Sequence, residues 1–272
     1  MNKYLVLSNG NKIPTLAYGT WLIKNEIAAE CVKNAIEAGY RHIDTAQAYQ
    51  NEEGVGLGIK LSGIKREDIY VTTKVAAEIK SYEKAKASID ESLRKLGLDY
   101  VDLILIHCPQ PWQEFRGPKN YFKENVKVWK ALEEAYKEGK VKAIGVSNFF
   151  PPDLQNIFDN CEIRPMVNQI PCHIGYLQLN TMKFCEENGV VVEAYSPIAH
   201  GRALNNEAII QMANKYGVSV AQLCIRYTLQ LNTVSIPKAT SKEHIIDNTK
   251  LDFEISEADM NELLKLNENK KD

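Results

Sequence analysis

The sequence lacks the features that would assign it to several special classes of protein. Among its 272 residues, 33 Lys and Arg nearly balance 35 Asp and Glu, so no charge excess favours binding to nucleic acid or an anionic membrane. No apolar run is long enough to cross a bilayer. Residues 1–8 lack the long apolar core of a signal peptide. We therefore expect a cytoplasmic protein with no nucleic-acid or membrane partner.

The cysteines and histidines are too scattered to indicate a disulfide framework or a metal site. The six cysteines form no C-x-x-C pair, and without a secretion signal they are typical of reduced, buried thiols. The five histidines show no H-E-x-x-H or similar spacing, so we expect no metal. A hydrolase is also disfavoured, because residues 145–149 nearly match the G-x-S-x-G nucleophile elbow but lack its second glycine.

What the sequence does contain is an alternation of short apolar runs with segments whose apolar residues recur at helical spacing. Eight of the runs are predicted strands. In one chain of this length, without a linker, such an alternation predicts a single (β/α)₈ TIM barrel over residues 1–272. The predicted strands cover residues 16–20, a run ending at 43, 69–73, 101–106, 141–146, 166–167, 190–193 and 233–236.

Local signals refine this prediction. An Asn-Gly pair at residues 9–10, between two short extended runs, predicts an N-terminal β-hairpin. A doubly wound sheet is the alternative to the barrel, but it usually has a glycine-rich turn after its first strand, and none follows residues 16–20. The glycine segment 54–58 falls in a predicted helix, so we do not interpret it as a phosphate-binding loop. Late in the chain, Ser219-x-x-Gln222 and Thr240-x-x-Glu243 predict capping boxes at helix starts.

Polar residues follow nearly every predicted strand. Barrel active sites form at the carboxyl ends of the strands. We therefore expect these side chains to converge on one rim, although each of them alone could be structural. The rim residues are Asp44, Lys74, His107, Ser147, Asn148, Asn168, Gln169, Tyr195, Ser196 and Lys238, with Tyr49 in the loop after the second strand.

Four of these residues together could donate a proton to an oxygen. Two unit charges about 4 Å apart interact by about 4 kcal/mol at an effective dielectric of 20. A charged Lys74 next to Tyr49 could therefore lower the pKa of the phenol by about two to three units. Asp44 would keep Lys74 charged by pairing with it, and His107 would orient a substrate carbonyl. Tyr49 is the predicted general acid.

Such a site needs a hydride donor to reduce a carbonyl, and the remaining rim residues suit a nicotinamide cofactor. Asn148 and Gln169 offer amides to a carboxamide, and Tyr195 offers a flat face to the nicotinamide ring. Lys238 precedes a predicted helix start and could bind a phosphate through its charge and the helix dipole. The sequence therefore predicts a carbonyl reductase that uses a nicotinamide dinucleotide.

Several segments together resemble the aldo-keto reductase family along nearly the whole chain. They include Gly-Tyr-Arg-His-Ile-Asp-Thr-Ala at 39–46, Leu-Gly-Leu-Asp-Tyr-Val-Asp-Leu at 96–103, Gly-Val-Ser-Asn-Phe at 145–149 and Ile-Pro-Lys at 236–238. The resemblance implies a barrel that binds NADPH and reduces aldehydes or ketones, with the tetrad Asp44, Tyr49, Lys74 and His107. It also implies cofactor contacts from Ser147, Asn148, Gln169, Tyr195, Ser196, Lys238 and Asn248.

The sequence departs from the family pattern at three places. His244 stands where the family commonly has an Arg that holds the adenosine 2′-phosphate. Histidine is only partly charged at neutral pH, so we expect a weaker preference for NADPH and some acceptance of NADH. Cys108 follows His107 where many members have Trp, and Trp112 is the candidate to replace that ring. The chain ends soon after its last predicted helix, so we expect an open pocket with Trp21 as an aromatic wall.

A function without catalysis remains the main alternative. A barrel of this kind could bind NADPH and act as a regulatory or sensor subunit. The intact tetrad favours the enzyme, whose substrate would be a small carbonyl compound. The sequence indicates no obligate protein partner.

Overall fold

An N-terminal hairpin precedes the main sheet in the computed structural model, which describes residues 3–267. Strands β1 (Tyr4–Val6) and β2 (Lys12–Pro14) pair antiparallel. In the turn between them, the Gly10 amide donates to the carbonyl of Leu7, and Gly10 has a φ of 86° that glycine adopts without steric cost. The predicted hairpin is confirmed.

Eight parallel strands then form a closed barrel. Neighbouring strands pair in chain order. The last strand returns to the first, where Leu16 bridges Ser235 and the Gly19 amide donates to the carbonyl of Pro237. The predicted (β/α)₈ TIM barrel is confirmed. Its strands are β3 (Tyr18–Gly19), β4 (His42–Asp44), β5 (Tyr70–Val75), β6 (Leu103–Ile106), β7 (Ile144–Ser147), β8 (Val167–Pro171), β9 (Val191–Tyr195) and β10 (Val234–Ile236).

Helices connect the strands and cover the outside of the barrel. They are α1 (Asn25–Glu37), α2 (Glu52–Ser62), α3 (Tyr82–Leu96), α4 (Phe122–Lys137), α5 (Pro151–Phe158), α6 (Leu179–Glu187), α7 (Glu207–Tyr216), α8 (Val220–Gln230), α9 (Lys242–Asp247) and α10 (Glu257–Lys265). In α3, Ala85, Ile89 and Leu96 are buried on one face, as the helical spacing of apolar residues predicts. Within residues 3–267, no helix combines the length and apolar character that a membrane span requires.

The glycine segment 54–58 lies in α2 and permits close helix packing. A Cβ atom at Gly56 would overlap the backbone of Leu96, and one at Gly54 would lie 2.5 Å from the carbonyl oxygen of Asn25. These glycines let α2 approach α1 and the end of α3, so the segment has a packing role and is not a phosphate-binding loop.

The sixth barrel strand is longer than predicted. The prediction ended it at residue 167, with Asn168 and Gln169 both on the rim, whereas both residues lie inside β8. Successive side chains in a strand point to opposite faces. Gln169 therefore faces the barrel interior, whereas Asn168 faces the helices and donates from Nδ2 to the carbonyl of Phe149 at 2.9 Å. Placing Asn168 on the rim was wrong.

Two helix starts near the cavity differ in how well they were predicted. The capping box of Ser219 and Gln222 is present at the start of α8. The box predicted at Thr240 is wrong by one residue, because Ser241 is the N-cap of α9 and its hydroxyl accepts from the His244 amide. Both Ser and Thr can cap a helix, so the sequence did not distinguish the two adjacent positions.

Candidate active site

A cavity of about 1170 Å³ lies at the carboxyl ends of the barrel strands. Sites for drug-sized ligands occupy roughly 300–1,000 Å³, so this cavity has room for a dinucleotide together with a small substrate. Lys74 lies beneath its floor. The other residues predicted for the site all line it: Trp21, Asp44, Tyr49, His107, Trp112, Ser147, Asn148, Gln169, Tyr195, Ser196, Lys238, His244 and Asn248.

Lys74 projects from β5 into the barrel and is completely buried. Its Nζ donates to Asp44 Oδ1 at 2.7 Å and to the carbonyl of Thr45 at 2.8 Å, and lies 3.4 Å from the Tyr49 hydroxyl. Burial alone lowers the pKa of Lys74, but Asp44 and Tyr49 raise it, and the net pKa lies above the ordinary value. Lys74 therefore keeps its charge, paired with Asp44 as expected.

Tyr49 ends a short 3₁₀ turn after β4, and its hydroxyl lies near Lys74. Burial raises the pKa of the phenol, Lys74 lowers it and Asp44 raises it, with a net increase. The predicted net lowering of this pKa is wrong, because desolvation outweighs the attraction of Lys74. The phenol consequently holds its proton at neutral pH, and Lys74 is placed to stabilise the phenolate that forms when the proton leaves.

His107 follows β6 and lies between two aromatic rings. Its ring centroid is 5.6 Å from that of Tyr49 and 5.2 Å from that of Trp112, both in edge-to-face geometry. Burial and the charge of Lys74 lower the pKa of His107 well below its usual value, so the imidazole is neutral. Its buried Nδ1 has no hydrogen-bond partner within residues 3–267. A neutral imidazole carries one N–H donor, which can orient a ligand oxygen in the cavity.

Asn148, at the end of β7, is held by bonds to other protein groups. Its Nδ2 donates to the carbonyl of His107 at 3.0 Å, and its Oδ1 accepts from the Tyr195 hydroxyl at 2.9 Å. Its φ of 62° lies in the left-handed region, which asparagine tolerates better than most residues. Asn148 thus links His107 to the tyrosine predicted to face the nicotinamide ring, in addition to lining the cavity itself.

Gln169 is bound on two sides by carboxyl groups. Its Nε2 donates to Asp44 Oδ2 and to Glu193 Oε2, both at 2.8 Å. Glu193 lies in β9 and is completely buried. Sequence reasoning missed it because it was taken as the last residue of the predicted strand 190–193. A signal was available, since Glu193 lies two residues before Tyr195 and therefore points to the same face.

Two exposed tryptophans form aromatic walls of the cavity. Trp21 and Trp112 are 44% and 40% exposed. Cys108 is fully buried and does not line the cavity, whereas Trp112 packs against His107, where the resemblance led us to look for an aromatic ring. The cavity is also lined by residues that were not predicted, among them Pro197, Ile198, His200, Gly201 and Leu204. The backbone at His200 has a φ of 54°, in the left-handed region. A non-glycine residue in this conformation gives no local sequence signal.

The far end of the cavity carries exposed groups. Lys238 follows β10, and His244 lies in α9; both are exposed, whereas Asn248 at the end of α9 is buried. A dinucleotide needs a cationic region for its phosphates away from the nicotinamide end, and Lys238 provides one. The residues present therefore fit a phosphorylated nicotinamide dinucleotide.

Comparisons with known proteins identify the family of this chain. Residues 15–268 match the model of the Aldo/keto reductase family. The chain is 43% identical over 267 residues to the glyoxal reductase of Bacillus subtilis, covering 97% of this chain and 93% of that protein. Its fold is similar to that of an aldo/keto reductase from Brucella melitensis, with a TM-score of 0.90, 38% identity and coverage of 97% and 99%. It is also similar to the Bombyx mori aldo-keto reductase in complex with NADP, with a TM-score of 0.87, 34% identity and coverage of 98% and 94%. The chain belongs to the aldo-keto reductase family.

Proposed function

We propose that this protein reduces an aldehyde or ketone to an alcohol with NADPH, and that Tyr49 supplies the proton. The observation that carries the proposal is the position of the Tyr49 hydroxyl, 3.4 Å from the charged amine of Lys74 in a cavity with room for a dinucleotide. Family membership supports carbonyl reduction in general. We take residues 1–272 as one reductase domain, because strands of one barrel carry both the catalytic and the cofactor-binding groups.

Each residue of the tetrad has a distinct task. NADPH, held by the residues at the two ends of the cavity, would supply the hydride for the carbonyl carbon. Tyr49 donates its proton to the carbonyl oxygen, and the charge of Lys74 stabilises the phenolate that remains. Asp44 keeps Lys74 protonated within the barrel, and His107 orients the carbonyl oxygen through its N–H. General acid catalysis of this kind contributes typically 10²–10⁴-fold to the rate.

The cofactor is held by two groups of residues at opposite ends of the cavity. NADPH is preferred because Lys238 offers a cation to its additional phosphate. NADH is accepted more weakly, and His244 makes the difference smaller than an arginine would, because an imidazole cannot bind a phosphate through two parallel N–H donors. The nicotinamide group consists of Ser147, Asn148, Gln169 and Tyr195, and the phosphate group consists of Ser196, Lys238, His244 and Asn248.

The substrates are small aldehydes, ketones and α-dicarbonyl compounds. The glyoxal reductase of Bacillus subtilis, similar over nearly the whole chain, supports the dicarbonyl class. Trp21 and Trp112 supply apolar walls on the substrate side, and Trp112 lies beside the proposed orienting residue His107. An apolar wall with a single oriented oxygen contact suits compounds that share a carbonyl and differ in their side groups.

Turnover of NADPH with a panel of aldehydes and α-dicarbonyls, followed by absorbance, tests the proposal. Tyr49→Phe removes the donated proton and should lower kcat by about 10²–10⁴-fold while NADPH still binds. Tyr4→Phe, in the exposed N-terminal hairpin, is the matched control and should retain full turnover. Tight NADPH binding by the unaltered protein without turnover of any carbonyl would instead support the sensor function. Full activity of Tyr49→Phe would assign the proton to another group.

A further inference from the structure

Glu193 is a buried carboxyl group that no step of the proposed reaction uses. It is completely buried in β9, and its register partner on the neighbouring strand β8 is Gln169. Register partners on parallel strands project to the same face of the sheet. Their side chains therefore meet inside the barrel, directly below the nicotinamide end of the cavity. Burying a carboxyl group is costly unless it is hydrogen-bonded. The hydrogen bond that Glu193 accepts therefore indicates its role.

That contact is with the amide nitrogen of Gln169. Gln169 Nε2 donates one hydrogen to Asp44 Oδ2 and the other to Glu193 Oε2, each at 2.8 Å. Both N–H donors are thereby used. A flipped amide would place its oxygen against the Asp44 carboxylate and lose the hydrogen bond to it. Only Gln169 Oε1 remains to meet a ligand in the cavity that this residue lines.

The alternative is that Glu193 serves the charge of Lys74 and has no role towards Gln169. The contacts disfavour this alternative, because the carboxylate bonded to Lys74 Nζ is that of Asp44, at 2.7 Å. The second oxygen of Glu193, Oε1, lies 3.8 Å from His42 Nε2 and has no hydrogen-bond partner in the described part of the chain. Within residues 3–267, the single side-chain hydrogen bond of Glu193 is thus the one that it accepts from Gln169.

We propose that Glu193 is a positioning residue: it fixes the Gln169 amide so that the carbonyl oxygen of Gln169 accepts a hydrogen bond from the carboxamide NH₂ group of the nicotinamide. This inference rests on the proposed function, because it requires a nicotinamide cofactor in the cavity. In this arrangement Glu193 determines the orientation of the Gln169 amide. Gln169 then presents its oxygen, an acceptor, to the cofactor and keeps its N–H donors inside the barrel. Without the second carboxyl group, the amide can rotate about its remaining bond to Asp44.

Two conservative variants separate the reach of the side chain from its acid group. Glu193→Gln replaces the carboxyl group with an amide but keeps a carbonyl oxygen at the same reach, so it can still accept from Gln169 Nε2. Glu193→Asp keeps the carboxyl group but is shorter by one methylene and cannot span the present distance. Dissociation constants are measured by fluorescence for NADP⁺ and for its 3-acetylpyridine analogue, in which a methyl group replaces the NH₂ group. Adenosine 2′,5′-bisphosphate, which lacks the nicotinamide, reports whether the phosphate end of each variant is intact.

The unaltered protein should bind NADP⁺ about tenfold more tightly than the analogue, the order of one hydrogen bond. Glu193→Gln should keep this ratio within about twofold, whereas Glu193→Asp should bring it close to one, as should Gln169→Leu. The double variant Glu193→Asp with Gln169→Leu should lose no more than either single variant, because both act through one contact. Binding of the bisphosphate should be unchanged throughout.

Three results would overturn the inference. They are equal binding of NADP⁺ and the analogue by the unaltered protein, an unchanged ratio in Glu193→Asp, or a ratio in Glu193→Gln as low as in Glu193→Asp. The last result would show that a carbonyl oxygen at the same reach is not enough to fix the Gln169 amide. Each of these leaves NADPH-dependent reduction intact, whereas failure of the unaltered protein to bind NADP⁺ at all would remove the proposed function and the inference together.

Discussion

The two ends of the cavity are built in different ways. At the inner end, Asp44, Lys74 and Gln169 lie within barrel strands, are almost completely buried, and are hydrogen-bonded to one another. At the outer end, Lys238 and His244 lie in a loop and a short helix and are exposed to solvent. The same cavity therefore combines a rigid, water-excluded group of charges with charges on the surface.

This difference separates the chemistry from the choice of cofactor. Charges in a low-dielectric interior interact strongly and are little screened by salt. Exposed charges are screened, and a single pair of them contributes roughly 0–1 kcal/mol. A substitution at the inner end should therefore abolish function or stability, whereas one at the outer end should adjust affinity by a small factor.

The strongest test of this contrast is Lys74→Met at the inner end. It removes the cation while keeping a side chain of similar length, and it leaves the Asp44 carboxylate buried without its ion-pair partner. Breaking a buried pair in this way costs about 3–5 kcal/mol of stability. Loss of the charge next to Tyr49 should lower kcat by about 10²–10⁴-fold. Urea unfolding and NADPH turnover measure the two effects.

Lys80→Met is the matched control for that experiment. Lys80 is also largely removed from solvent, but its Nζ donates to the carbonyl of Cys108 at 2.9 Å and to Asn125 Oδ1 at 3.0 Å. Burial lowers the pKa of Lys80 to about 8, so its amine is still mostly charged at neutral pH, but its hydrogen-bond partners are neutral oxygens and no buried carboxylate loses its partner. Because Lys80 does not line the cavity, its removal should change kcat by less than about tenfold. Equal losses in the two variants would mean that Lys74 acts only through packing.

The sequence predicts the inner end well, because its chemistry follows from the strand pattern. Asp44, Lys74 and His107 each come at the end of an apolar run, and a barrel brings such ends to one rim. Glu193 also ends an apolar run and shares a face with Tyr195, but this pattern does not identify its partner. A buried carboxyl group is unfavourable unless a partner meets it, so pattern reasoning places it at a strand end, and only the register of β8 and β9 brings it to Gln169.

Other parts of the site could not be predicted for conformational reasons. The part of the wall contributed by residues from Pro197 to Leu204 depends on left-handed backbone at Ala199 and His200, with φ values of 52° and 54°. Neither residue type signals that conformation. The net pKa of Tyr49 was also predicted in the wrong direction, because the sequence indicates a neighbouring charge and does not give the extent of desolvation.

The inner end should also give the protein a pH-dependent stability. Burial, and then the charge of Asp44, raise the pKa of Glu193 to about 8 from an ordinary value of 4.5. Between these values the folded state holds a proton that the unfolded state releases. The contribution of this proton to the free energy of unfolding is therefore full at low pH and is lost as pH rises through about 8. The slope is at most about 1.4 kcal/mol per pH unit. Glu193→Gln should remove it.

Urea unfolding of both proteins at pH values from roughly 5 to 8 measures this slope, since the difference between them isolates one group among the many that titrate. Glu243→Gln, in the exposed helix α9 at the outer end, is the control, because its carboxyl group stays in water in both states. A stability difference between the unaltered protein and Glu193→Gln that stays constant over this range would contradict the assigned titration.

The smallest effect is expected at the outer end, from His244→Arg. Arginine is always charged and binds phosphate through two parallel N–H donors, whereas the imidazole of His244 has no such parallel pair of donors. Because the site is exposed, the gain should be about 1 kcal/mol or less, a tightening of NADPH of up to about fivefold. NADH lacks the additional phosphate, so its dissociation constant should stay the same.

Titration of both cofactors at low and high salt measures the change, and added salt should reduce the gain for NADPH. Equal tightening of both cofactors would mean that residue 244 does not contact the phosphate that distinguishes them. The contrast between a fixed inner end and an adjustable outer end would then have to rest on Lys238.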